Sequence, residues 1–254
     1  PLIVICIISV LIVIKLLIKK LKIPTRMAYL ISIGSTVCGT TAVMATAPVI
    51  KANKSEVSYA IANITLFGIL SMLIYPYFAN HYFDAEPMLI GLFLGTSIHE
   101  TSQVAAAGLI YDQQFNSPET LNIATVTKLI RNTFLVIMIP LFAFLYNRNN
   151  SSKQNYSLLK IFPYFVLGFV GMIIFRNLGD QLFISNNNWI ETIYVVKSSS
   201  KIFLTMAMAA IGLSTNLKDI KNMGYKPFVV GFVGMATVGL VCIFTIEIYT
   251  KFFI

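Results

Sequence analysis

Three stretches of the chain, residues 27–50, 57–80 and 227–246, contain no lysine, arginine, aspartate or glutamate. An α-helix needs about 20 mainly apolar residues to cross the hydrocarbon core of a bilayer, and each stretch is long enough. Residues 1–18, 87–111, 121–146, 161–175 and 202–217 are also apolar enough to qualify, although less cleanly. Backbone N–H and C=O groups cannot stay unpaired in hydrocarbon, which leaves helices or closed barrels. The runs are too long and too continuously apolar for the alternating strands of a barrel. The expectation is an all-α integral membrane protein with about eight transmembrane segments. The balance of the chain agrees: of 254 residues only 11% are charged and 57% are hydrophobic, whereas a soluble domain carries about 25% charged residues.

The formal net charge of +9 does not point to nucleic acid, because the charges are segregated into loops. Lys19, Lys20, Lys22 and Arg26 fill one loop, Arg148, Lys153 and Lys160 another, and Lys218, Lys221 and Lys226 a third. If all eight segments cross, these loops share a side, which carries ten lysines and arginines against six opposite. The positive-inside rule makes that side cytoplasmic. Cys6, Cys38 and Cys242 lie far apart in apolar segments, with neither zinc-site nor disulfide spacing. No metal site and no cofactor is expected. Trp189, beside Asn186-Asn187-Asn188, suits a turn at the membrane–water interface.

Two segments are poor lipid-facing helices. Residues 27–50 hold Ser32, Ser35, Thr36, Thr40, Thr41 and Thr46 together with Gly34, Gly39 and Pro48; residues 202–217 run into Gly212, Ser214, Thr215 and Asn216. Small residues permit close helix packing. The sharper reading is a break near mid-membrane, whose freed backbone groups line a solute site, as in transporters built from inverted repeats. A shift of 164 residues places Thr41, Met44, Ala45 and Lys54 on Thr205, Met208, Ala209 and Lys218, which superposes the two candidates. On this reading residues 87–254 form a five-helix repeat and residues 1–80 the last three helices of its partner, all within one transmembrane domain (1–254). The chain begins at Pro1 inside an apolar run, and the complete protein is expected to have about ten spans, with two of them N-terminal to this sequence.

Gly95-Thr96-Ser97-Ile98-His99-Glu100-Thr101-Ser102-Gln103 puts ionisable groups inside an apolar segment. Such groups cost at least ~2.5 kcal/mol at the bilayer centre and normally face the bundle interior with a partner. On a continuous helix His99 and Gln103 share a face, and Glu100 and Gln103 are neighbours. His99 and Glu100 are candidate proton carriers, and the bland alternative is a polar clamp between helices. The zinc-protease motif needs a second histidine where Gln103 stands, which excludes it. Lys128, Arg131 and Asn132 share a face of the next segment. Glu100 is the expected counter-charge, and a bound anion would supply the rest.

These stretches resemble the bacterial YeiH-type inner-membrane proteins, a family named for sulfate export. The resemblance is carried by Gly34-Ser35-Thr36-Val37-Cys38-Gly39 with Ala45-Thr46-Ala47-Pro48-Val49-Ile50, and by Gly95-Thr96-Ser97-Ile98-His99-Glu100 with Gln103-Val104-Ala105-Ala106-Ala107-Gly108. Lys128-Leu129-Ile130-Arg131 and Met206-Ala207-Met208-Ala209-Ala210-Ile211-Gly212-Leu213 complete it. It implies a fold similar to the bile-acid and sodium–proton antiporters, with two crossing broken helices, here at residues 34–48 and 206–216.

The function expected is secondary-active transport of a small anion, sulfate or similar, by alternating access, coupled to H+ or Na+. Ser35, Thr36, Cys38, Gly39, Lys128, Arg131, Ser214, Thr215 and Asn216 are the expected substrate-binding residues, and His99, Glu100 and Gln103 the coupling residues. The partners expected are the bilayer, the anionic solute and, if the chain self-associates, a second copy in a homodimer. The competing reading is a non-transporting membrane protein that binds or regulates another membrane system. An enzyme is not expected: Cys38 and His99 are the one nucleophile–base pair on offer, and nothing in the sequence orients the histidine.

Overall fold

The computed structural model describes residues 1–149, 164–183, 186–214 and 225–253. Among them the chain is all-α, with eleven helices and no strand. We number them α1 (Leu2–Leu21), α2 (Thr25–Thr36), α3 (Gly39–Thr46), α4 (Lys54–Tyr82), α5 (Pro87–Ser97), α6 (Thr101–Phe115), α7 (Pro118–Thr133), α8 (Leu135–Asn149), α9 (Tyr164–Leu182), α10 (Asn187–Ser214) and α11 (Lys226–Phe253).

Local chemistry sets the ends of these elements. The side chain of Asn53 accepts from Glu56 N–H while the Glu56 carboxylate accepts from Asn53 N–H, both at 2.8 Å, so α4 starts in a reciprocal capping box. Pro87 and Pro118 occupy the first turns of α5 and α7, where a missing N–H costs nothing. Lys22 and Asn116 end α1 and α6 in the left-handed conformation. Asn186 Oδ1 accepts from Asn188 N–H at 2.9 Å in the turn between α9 and α10, where the sequence places a turn. Trp189 packs on Gly179 there and donates to Asp180 at 2.8 Å.

Four helical stretches among the described residues are long and apolar enough to cross a membrane: Leu2–Leu21, Lys54–Tyr82, Pro118–Tyr146, which takes in α7 and most of α8, and Lys226–Lys251. Two of the other expected segments are interrupted among the described residues. The segment at 27–50 is divided between α2 and α3, and the segment at 87–111 between α5 and α6. Helix α4 continues through Pro76 to Tyr82.

Three apolar clusters hold the bundle together. One joins α1, α2, α4 and α11 through Val10, Ile14, Leu30, Ile31, Ile64 and Val238. A second joins α5, α6, α7 and α11 through Phe93, Leu94, Val104, Ala124 and Cys242. A third packs α8 on the first break through Val37, Cys38, Leu135 and Ile139. Glycine sets the closest approaches. A Cβ on Gly95 would strike the Ala124 carbonyl and stand 2.7 Å from Thr127 Cβ on α7. That carbonyl belongs to a helix and cannot swing away. Gly95→Ala should therefore destabilise the folded protein by about 1–3 kcal/mol, read as a lowered melting temperature in detergent.

Candidate functional site

The first break has the chemistry expected of it. Helix α2 ends at Thr36, Val37 leaves helical geometry (φ −125°, ψ −92°), and α3 begins after Cys38 (φ −126°, ψ 79°). Helix α10 is continuous from 206 to Ser214, where methionines and alanines are good helix formers, and the rest of the candidate break at 206–216 lies outside the described residues. A further break lies between α5 and α6, where none was expected. The chain leaves the helix at Ile98 (φ −83°, ψ 139°) and re-enters after Glu100 (φ −109°, ψ 145°). His99 and Glu100 therefore do not sit on a helix face with Gln103. They form the linker between α5 and α6, and Glu100 is the N-cap of α6.

The two breaks lie against each other. A Cβ on Gly39 would stand 2.7 Å from Glu100 Cγ and 3.2 Å from Oε1. Cys38 Sγ is 3.6 Å from Thr41 Oγ1 and 3.8 Å from Thr101 Oγ1, the first residue of α6. Thr40 and Thr65 both donate to Glu100 Oε1. Gln103 donates to the Thr65 carbonyl at 3.1 Å and lies over Gly68, where any side chain would strike its amide.

On the other flank stand Lys128 and Arg131 of α7, both fully buried. Lys128 Nζ donates to the carbonyls of Val37 (3.1 Å), Ile98 (2.8 Å) and His99 (2.6 Å). Arg131 donates through Nε and Nη2 to Thr36 (3.1 and 2.8 Å), through Nη2 to Ser35 (3.0 Å), and through Nη1 to Thr96 (2.5 Å) and Ile98 (3.3 Å). These acceptors are the carbonyls that the ends of α2 and α5 leave without intrahelical partners. Glu100 makes no salt bridge with either cation: among the described residues the one ion pair is Arg176–Asp180, on α9. The cations are matched by two half-helix C-termini, which carry partial negative charge. Glu100 sits at the positive N-terminal ends of α3 and α6.

Nine of the twelve expected site residues are brought together here: Ser35, Thr36, Cys38, Gly39, His99, Glu100, Gln103, Lys128 and Arg131. Ser35 and Thr36 contribute carbonyls; the Ser35 hydroxyl is buried without a partner, and Thr36 Oγ1 turns back onto the Ile33 carbonyl at 2.9 Å. His99 Nδ1 and Asn132 Oδ1 are also buried without partners, while Asn132 Nδ2 donates to Thr101 at 3.1 Å. Ser214 is the last described residue of α10, and Thr215 and Asn216 lie outside the described residues. Sequence reasoning did not single out Thr40, Thr65 and Thr101 as partners of the ionisable groups. The signal available was a hydroxyl placed inside or at the start of an intramembrane helix: Thr40 in α3, Thr65 in α4 and Thr101 at the start of α6.

The residues that form the two breaks and the clamp fall within residues 2–231, which match the family model described as Conserved hypothetical protein 698. The chain belongs to that family. Its relatives are named UPF0324 membrane proteins. One from Fusobacterium nucleatum is 38% identical over 252 residues, covering 96% of this chain and 72% of its own length. One from Streptococcus agalactiae is 37% identical over 231 residues, covering 90% of this chain and 67% of its own. One from Haemophilus influenzae is 35% identical over 217 residues, covering 84% and 60%. The chain thus spans between three-fifths and about three-quarters of the length of these relatives. No solved structure matches it. The YeiH-type resemblance and the placement in a membrane both hold for this family.

Proposed function

We propose that the chain is a secondary-active transporter of a small anion of the sulfate class, working by alternating access and coupled to H+ or Na+. The observation that carries this is the meeting of two helix breaks at a buried point with two formal positive charges and one negative. Broken helices inside a membrane are tolerated where they line a cavity or are buried in protein, and in transporters such breaks form the solute site. One break falls in each proposed repeat, residues 1–80 and 87–254.

The donors of Lys128 and Arg131 are committed to carbonyls in this conformation, so the anion is assigned to the opposite pole. There the N-termini of α3 and α6 present backbone N–H groups and the hydroxyls of Thr40 and Thr101. Lys128 and Arg131 then act through space, and once a proton neutralises Glu100 one dianion balances their two charges. Glu100 now holds the N-terminus of α3. A proton delivered to its carboxylate, or a sodium ion set against it and Gln103, weakens that hold and opens the pole to the anion. This gives the coupling a physical basis: solute and Glu100 charge compete for the same positive end.

The test is flux in liposomes. Full-length protein should move labelled sulfate, or a small sulfonate or carboxylate, saturably under a pH or sodium gradient. Absence of movement of any of these, with folded protein in the vesicles, overturns the reading in favour of a binding or regulatory role. Gly39→Val crowds Glu100 without removing any charged group. It should lower the flux at least ~10-fold, since misplacing groups at such a site by about 1 Å costs factors of this size or more.

A further inference from the structure

We propose that the Lys128 ammonium occupies a ready-made site for a small monovalent cation of ammonium or potassium size, and serves as a tethered cation that pins the two breaks together. The inference is independent of what the chain transports. Three observations carry it. The ligands are all backbone carbonyls, at 3.1, 2.8 and 2.6 Å, and they come from both breaks: Val37 from one, Ile98 and His99 from the other. The ammonium is wholly inaccessible, at 0% exposure, so these three oxygens stand where water would otherwise be. No carboxylate pairs with it among the described residues.

A lysine chosen for attraction to an acid would be found beside one. This lysine is instead held by the kind of oxygen cage that replaces the hydration shell of an alkali ion in a selectivity filter. In transporters, unwound carbonyls and half-helix C-termini coordinate free cations in the same manner. The dipoles of α2 and α5 both end here, and either a free ion or an ammonium on a side chain satisfies them. The tether makes the cation permanent and keeps the C-terminal halves of the crossing joined while the opposite pole is free to change. Arg131 reinforces the same joint through a fork that reaches Ser35, Thr36, Thr96 and Ile98, but its planar, five-donor geometry has no free-ion equivalent.

The experiment removes the tether and offers the ion. Full-length wild type, Lys128→Ala and Lys128→Met are purified in detergent. Each is melted across a series of ammonium, potassium and sodium chloride, with choline chloride holding ionic strength constant. Lys128→Ala leaves both the oxygen cage and the room of the missing side chain, so its melting temperature should rise saturably with ammonium or potassium by at least ~2 °C. Wild type, whose cage is filled, and Lys128→Met, whose side chain occupies the space, should not respond. An alanine variant that responds no better than to choline, or an equal response in all three proteins, overturns the proposal. Should Lys128→Ala not survive purification, its membranes are solubilised with and without ammonium. Recovery of folded protein only with the ion supports the proposal, and no recovery with any cation overturns it.

Discussion

Arg131→Ala should yield little or no folded protein. The substitution strips five hydrogen bonds from four carbonyls, of which Ile98 keeps one partner in Lys128 while Ser35, Thr36 and Thr96 lose theirs. A buried polar group left unpaired costs about 1–3 kcal/mol, and the vacated guanidinium leaves a cavity beside it. Three such losses together approach the 5–15 kcal/mol that is the whole stability of a typical domain, on the order-of-magnitude scale established for soluble proteins. Arg131→Lys keeps the charge but offers three donors from a single point in place of a planar fork, so it should recover only part of the stability. Size-exclusion profiles and melting temperatures in detergent distinguish the two. A clean, wild-type profile for the alanine variant would mean that the carbonyls have another partner and that the clamp is ornamental.

Glu100→Gln should have the opposite pattern, with the fold kept and the transport lost. The amide still accepts hydrogen bonds from Thr40 and Thr65, so the packing of α3 on α6 survives. What disappears is the charge that competes for the positive ends of α3 and α6. Hydrogen bonds to a charged group are worth roughly 1.5–3 kcal/mol, so gradient-driven flux should fall about tenfold to a hundredfold with a melting temperature within a few degrees of wild type. The remaining flux should no longer depend on the gradient. Retained coupling in Glu100→Gln would place the proton or sodium site elsewhere.

The all-α membrane architecture and the first break were legible in the sequence for the same reason: both are written locally. Long uncharged runs admit few structures in a bilayer, and Gly34, Gly39 and Pro48 among serines and threonines mark a helix that does not need to stay continuous. The second break was not legible, because nothing at Ile98-His99-Glu100 is a helix breaker. Its extended backbone is held by Lys128 and Arg131, about thirty residues away in sequence, and their partners are carbonyl oxygens, which every residue possesses and no sequence pattern advertises. For the same reason Glu100 was the one protein partner in view for the two cations. A search for charge finds the one carboxylate nearby and overlooks two helix ends. At 206–216 the run Met206-Ala207-Met208-Ala209-Ala210 favours helix locally and α10 is continuous to Ser214, while Thr215 and Asn216 lie outside the described residues. The candidate residues themselves were visible as polar groups in apolar segments; which of them face one another was not.

The central claim is that the breaks at Val37–Cys38 and Ile98–Glu100 face each other inside the bundle, and a disulfide tests it most directly. With Cys6 and Cys242 replaced by serine, Thr101→Cys places a second thiol opposite Cys38, whose Sγ stands 3.8 Å from the Thr101 hydroxyl. Rapid cross-linking under mild oxidation in native membranes is expected, and whatever flux the reduced variant retains should fall on cross-linking and return on reduction. Two thiols that each react with a small membrane-permeant maleimide yet never join would contradict the claim.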